Sequence, residues 1–242
     1  MNWWNFIDSF YEQRTGREIM PGDIVWCPTV YWDMKRKILN ISRASTDIKT
    51  HDMVNATIED FLPTKHYKDN DPNRTLPIYK LGLRRFEELV LDKTKVRPCI
   101  VLHCEKEKVK PSGANDTNTI LLNQDVLTLL PIYGFEINGG IIKYSQKTVH
   151  RIKWLRYKKL FFFPADNNYD IKKDSFARLD MIFQIPARHI CKPSITKLHK
   201  NCFSLLKLYV LNHFQLGFSE EDYNAELALI SLAHKYFQEI DA

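Results

Sequence analysis

The sequence predicts a mainly β fold: a small β-barrel carrying helical additions. Short runs rich in β-branched residues recur as far as Ile185, separated by Pro, Gly and Asn turn signals. The last third then changes period and places apolar residues three and four apart. Only 8 glycines stand against 12% aromatic residues, which argues against a flexible or fibrous chain.

The elements follow in order. Trp3, Phe6, Ile7 and Phe10 have helical spacing and predict an N-terminal helix within residues 1–19. Met20-Pro21-Gly22-Asp23 reads as a turn, and Ile24-Val25-Trp26-Cys27 as the strand that leaves it. From Thr29 to Lys95 the pattern is mixed, with loops at Pro63, Asp71-Pro72-Asn73 and Pro77 and a short helix over Leu83–Leu91. Val96–Cys104 is a strand with proline near its entry, where it is tolerated. Glu105–Asn118 is a charged loop. Thr119–Leu122 and Val126–Tyr133 are strands, Asn138-Gly139-Gly140 is a turn, and Val149–Phe163 and Phe176–Ile185 read as further strands. Ser194–Gln215, with Ile195, Leu198, Cys202, Leu205 and Tyr209 in register, predicts a helix. After Gly217 and the Ser219–Asp222 capping pattern, the Leu227–Ile240 stripe predicts a second one, giving a C-terminal helical hairpin over 193–242.

Composition narrows the function classes. The chain has 242 residues, enough for one domain with additions or two small ones, and 44% hydrophobic against 26% charged residues excludes disorder for most of it. A net charge of +6 permits a polyanionic partner without demanding one. No apolar run approaches the ~18 residues of a membrane span, and the start lacks the pattern of a secretory signal. Five cysteines with no CxxC are expected in a reducing cytoplasm. There is no P-loop, GxGxxG, GxSxG or HExxH, so no cofactor is expected. His189, Cys191, His199 and Cys202 match no common zinc spacing and read as core cysteines and surface histidines. Cys99 and Cys104, an odd number of positions apart, are expected on opposite faces of their strand.

Four separated pieces carry a resemblance. They are Pro21-Gly22-Asp23-Ile24-Val25-Trp26, Lys95-Val96-Arg97-Pro98-Cys99-Ile100-Val101-Leu102, Leu129-Leu130-Pro131-Ile132-Tyr133, and Asp174-Ser175-Phe176-Ala177-Arg178-Leu179-Asp180-Met181-Ile182. In this order they resemble the MazF/PemK family of toxin endoribonucleases. Pro186-Ala187-Arg188-His189-Ile190 falls where that family has a short basic segment. The pieces and their flanks cover under half of the chain. The resemblance implies an SH3-like barrel of the CcdB/MazF/PemK type over 20–192, interrupted by an inserted segment at about 33–92. It implies a homodimer, an antitoxin protein partner, and metal-independent cleavage of single-stranded RNA by attack of its own 2′-OH, leaving a cyclic phosphate.

By the same resemblance Arg97 takes the position of the catalytic arginine. Tyr133 takes that of the catalytic threonine, and Gly134 stands where the family often has serine. A guanidinium keeps its charge at any physiological pH and can bond two non-bridging oxygens, which suits phosphoryl chemistry. Tyrosine in place of threonine carries its hydroxyl several ångströms further from the backbone. The alternative reading is therefore a non-catalytic binding module for a protein or nucleic acid. The gyrase-directed CcdB type has a C-terminal tryptophan motif that Glu239-Ile240-Asp241-Ala242 lacks. His103, six residues from Arg97, would share its face on a regular strand but lie roughly 20 Å away, too far to serve the same phosphate. The basic, aromatic-interleaved stretch around Arg151, Lys153, Trp154, Arg156 and Tyr157 is a candidate RNA surface together with Lys95, or else a lysine-protected edge strand.

Overall fold

The computed structural model describes residues 9–31, 35–43, 54–62, 78, 81–84, 87–105, 125–137 and 141–214. Its strands and helices in order are β1 (Tyr11–Gln13), β2 (Asp23–Val30), β3 (Lys37–Arg43), β4 (Val54–Asp60), β5 (Val90–Leu91), β6 (Thr94–Glu105), β7 (Val126–Gly134), β8 (Glu136–Ile137), β9 (Ile141–Ile142), α1 (Gln146–Lys153), β10 (Leu160–Phe163), β11 (Ser175–Arg178), β12 (Phe183–Pro186), β13 (Lys192–Leu198) and α2 (Lys200–His213). Two 3-10 turns, Leu179–Met181 and Ala187–His189, flank β12. The chain divides into two compact units, one of Met1–Pro28 with Val96–Ala242 and one of Thr29–Lys95.

The larger unit is built on a curled antiparallel sheet in the order β1-β13-β2-β6-β7-β11-β10, so the mainly β class with helical additions holds. Strand β7 is its fork. Its Val126–Leu129 half pairs with β12 and its Ile132–Gly134 half with β11, and the Leu179–Met181 turn carries the chain from one partner to the other. The turn before β2 forms as the sequence predicts. Asp23 N donates to Met20 O over 3.0 Å, and Gly22 sits at φ +92°, a conformation glycine adopts without strain.

The middle of the sheet, β2, β6 and β7, is buried on both faces, which explains why the centres of these strands read as continuous apolar runs rather than alternating ones. Ile24, Ile100, Leu130 and Ile132 join Phe161, Phe162, Phe163 and α2's Cys202 and Leu206 in one core. Their neighbours Val25, Cys27, Cys99, Val101, Leu127 and Leu129 form a second, packed under Phe183, Ile185 and Ile190.

Several expectations are corrected. Of the helix expected within 1–19, residues 1–8 lie outside the described residues and residues 9–19 hold none: Tyr11 opens β1, pairs with Leu198 and donates its buried hydroxyl to Pro164 O at 2.8 Å. Residues 149–163 are not one strand. Ser145 caps α1 by accepting from Thr148 N, and Val149 and Ile152, three apart, turn one side of the helix to the core. The helix closes as a Schellman motif, with Arg156 N on Arg151 O and Leu155 N on Ile152 O, and with Leu155 at φ 53° where glycine is usual. Residues 192–198 form a strand rather than a helix start: Ser194 and Thr196 are buried while Ile195 is 57% exposed, an alternation of period two. The Thr119–Leu122 strand, the Asn138–Gly140 turn and the second helix of the hairpin lie outside the described residues.

The unit Thr29–Lys95 holds a second sheet in the order β4-β3-β5, in which β3 and β4 pair from Lys37↔Asp60 to Arg43↔Val54. The helix expected over Leu83–Leu91 is absent among its described residues. Val90 pairs instead with Ile38, and Leu83 bridges Ile78, so strand pairing overrides the local helical pattern.

Candidate functional site

Strand β6 carries Arg97 and strand β7 carries Tyr133. Cys99 pairs with Pro131, and continuing that register by two residues sets Arg97 across from Tyr133. The side chains meet: the Arg97 guanidinium carbon lies 4.8 Å from the Tyr133 ring centroid, a cation–π contact. On the other side Tyr133 pairs with Phe176 of β11, ring on ring at 5.9 Å. Two residues along the same face of β11 comes Arg178, whose Nε and Nη2 fork onto Asp180 at 3.2 and 3.0 Å. Three adjacent strands thus line up Arg97, Tyr133 and Phe176, with a second guanidinium one pleat away.

Tyr133 is half-buried. Burial raises the pKa of its phenol, and the positive fields of Arg97 and Arg178 oppose the rise. It is neutral at physiological pH and can donate and accept a hydrogen bond. Asp180 is held below the usual carboxylate range by its bond to Arg178, and so is ionised.

A groove of about 530 Å³ adjoins this row, lined by Tyr157, Lys158, Lys159, Leu160, Arg178 and Asp180. Leu160 of β10 pairs with Arg178, which fixes one wall. The Schellman close of α1 delivers the other, turning the chain so that Tyr157, Lys158 and Lys159 follow at once.

The expected RNA contacts separate in the structure. Tyr157 lines the groove. Lys153 instead pairs with Asp174 at 2.5 Å and lies over the Phe162 ring, while Trp154 caps α1 and packs against the core. Arg151 and Arg156 are exposed at the end of α1. Lys95 is exposed on β6, where its carbonyl accepts from the Thr29 hydroxyl at 3.0 Å. The edge-strand alternative fails for Arg151 and Lys153, which lie in α1. The sequence reading missed Arg178 and Asp180 as site residues, although both stand in the fourth matched piece. It also left Lys158 and Lys159 unassigned, although both belong to the basic run.

A β-bulge corrects two further expectations. Val101 pairs with Leu129 and His103 with Thr128, so Leu102 is an extra residue and the alternation resets. His103 therefore faces away from the side that carries Arg97. Cys99 and Cys104 come to share a face, yet Cys99 meets Cys27 on β2, sulfur to sulfur at 3.3 Å, and all five cysteines are thiols. Burial raises the Cys202 thiol pKa in the core. Among the described residues no group of three or more His, Cys, Asp or Glu could hold a metal ion, and no helix is long and apolar enough to cross a membrane.

No protein-family model matches the sequence, and no curated protein matches it.

Proposed function

We propose that the chain is an endoribonuclease of the MazF/PemK type, acting on single-stranded RNA without a metal. The observation that carries this reading is the meeting of Arg97 and Tyr133, two residues 36 positions apart in sequence, on adjacent strands of a curled sheet. In the reaction the 2′-oxygen forms a bond to the adjacent phosphorus as the bond to the 5′-oxygen breaks. The 2′-hydroxyl proton leaves to water, and the departing 5′-oxygen takes a proton from water. Arg97 stabilises the negative charge that builds on the non-bridging oxygens, an effect worth about 10²- to 10³-fold in rate for one such donor. The neutral Tyr133 phenol donates a hydrogen bond to the same phosphate. An antitoxin protein partner, a homodimer and a cytoplasmic setting belong to the same reading.

The test is incubation of the purified protein with mixed single-stranded RNA in EDTA. Fragments ending in a cyclic phosphate are expected, and Arg97→Ala should slow their release about 10²- to 10³-fold. Intact RNA, or equal cutting by Arg97→Ala, removes the reading.

One observation favours the second reading, a binding module without turnover. The Arg97 guanidinium covers the face of the Tyr133 ring rather than its hydroxyl edge. RNA or protein that co-purifies and is never cut selects that reading.

A further inference from the structure

We propose that the groove between β10 and the 3-10 turn after β11 is a nucleotide subsite for single-stranded RNA, beside the Arg97–Tyr133 pair. Lys158 and Lys159 would each take a phosphate and Tyr157 would stack a base. This deepens the RNA reading above and rests on it.

The groove has the size of a small-ligand cleft, about 530 Å³ within a usual range of about 300–1,000 Å³. It sets three cations, Lys158, Lys159 and Arg178, against one carboxylate, Asp180. A concave surface with that balance concentrates anions. Lys158 and Lys159 are exposed and consecutive, while Tyr157 is half-buried with its body packed on the core, so the ring is held as a platform. Cations beside a fixed aromatic ring are the pattern for a single strand, because charges neutralise phosphates and any base can stack.

Asp180 argues for a nucleotide over an acidic peptide. The Arg178 fork and the Asp180 backbone N–H take up part of the carboxylate, whose side chain is still about a third exposed. A carboxylate at that place repels a peptide of aspartates and glutamates but accepts from the amino group of a base. The groove also continues the site. Arg178 lies on its wall and shares a strand face with Phe176, which stacks on Tyr133. Arg178 lies two strands across and two residues along from Arg97, about 12 Å, so a strand whose phosphate rests at Arg97 would enter the groove further along its length.

The experiment measures fluorescence anisotropy of a labelled 2′-O-methyl RNA, which lacks the attacking hydroxyl and so reports binding apart from cutting. Lys158→Ala with Lys159→Ala should weaken binding at low salt about tenfold and lower the slope of log affinity against log salt by about 1.4, the contribution of two phosphate contacts on a single strand. Tyr157→Leu should weaken binding about tenfold through lost stacking. Tyr157→Phe keeps the ring and its packing and should bind as the wild type does, which separates stacking from misfolding. The proposal is overturned if the lysine variant and Tyr157→Leu bind as tightly as the wild type, or if polyglutamate displaces the RNA as well as unlabelled RNA does. Binding lost in these variants, by a protein that never cuts natural RNA, upholds the subsite and removes the nuclease. Cutting that persists with binding unmoved does the reverse. No binding by the wild type removes both.

Discussion

Two arginine–aspartate pairs in the larger unit are built to opposite ends. Arg14 and Asp23 meet at 2.8 Å with side chains only 11% and 2% exposed. Arg14 also donates to the carbonyls of Arg17 and Glu18, and Asp23 accepts from Met20 N, so both charges are enclosed by partners and clamp the entry to β2. Arg178 and Asp180 are about a third exposed, two residues apart, and open to a groove. A desolvated pair with most of its bonds satisfied has little left for a ligand. A fork that is a third exposed beside other cations stays within reach of a ligand. The difference separates structure from site among residues of the same type.

Asp23→Ala is expected to give the largest effect, about 3–5 kcal/mol of lost stability in a urea melt, because it strands a buried guanidinium. Asp180→Ala should cost less than about 1 kcal/mol, as a solvent-screened pair does. Equal losses would erase the distinction. Next comes Arg97→Ala, with cleavage down about 10²- to 10³-fold while the melt stays near that of the wild type. A large loss of stability in this variant would mark Arg97 as a second clamp instead.

Smaller effects come from pH. Burial raises the phenol pKa of Tyr11 and Tyr133, so both stay neutral in the folded protein where an exposed phenol would ionise near about 10. Their stabilisation is fully present below about pH 10 and is lost as pH rises through the folded values. Urea midpoints should therefore fall above pH 10, and Tyr11→Phe should flatten that fall more than Tyr133→Phe does. Asp180 has the opposite sign. Its stabilisation is present above about pH 3.9 and is lost as pH drops through its lowered folded value, so Asp180→Asn should remove a slight acid-side slope.

Strands β2, β6 and β7 were legible because burial on both faces requires unbroken apolar runs, and Ile24–Cys27, Cys99–Leu102 and Leu129–Ile132 are such runs. The turn at Pro21-Gly22 was legible because few residues besides glycine take a φ of +92° without strain. Helix α1 was not. Its eight residues carry only two core-side apolar positions, and the basic residues between them imitate an edge strand. Strand β13 was hidden in a similar way, since Leu198, Cys202 and Leu205 continue a helical spacing across a break that the pairing with β1 and β2 imposes.

Local features follow from the residues alone: a mainly β chain, its buried strands and its first turn, with Arg97 and Tyr133 singled out through the resemblance. Which of those residues meet depends on the fold. Registers between β6, β7 and β11 bring Arg97, Tyr133, Phe176 and Arg178 into one row, and the extra residue at Leu102 turns His103 away from it. The physical reason is that a strand's pattern says which face is apolar, whereas the partner opposite each residue depends on hydrogen-bond register and bulges, set by the packing of distant segments.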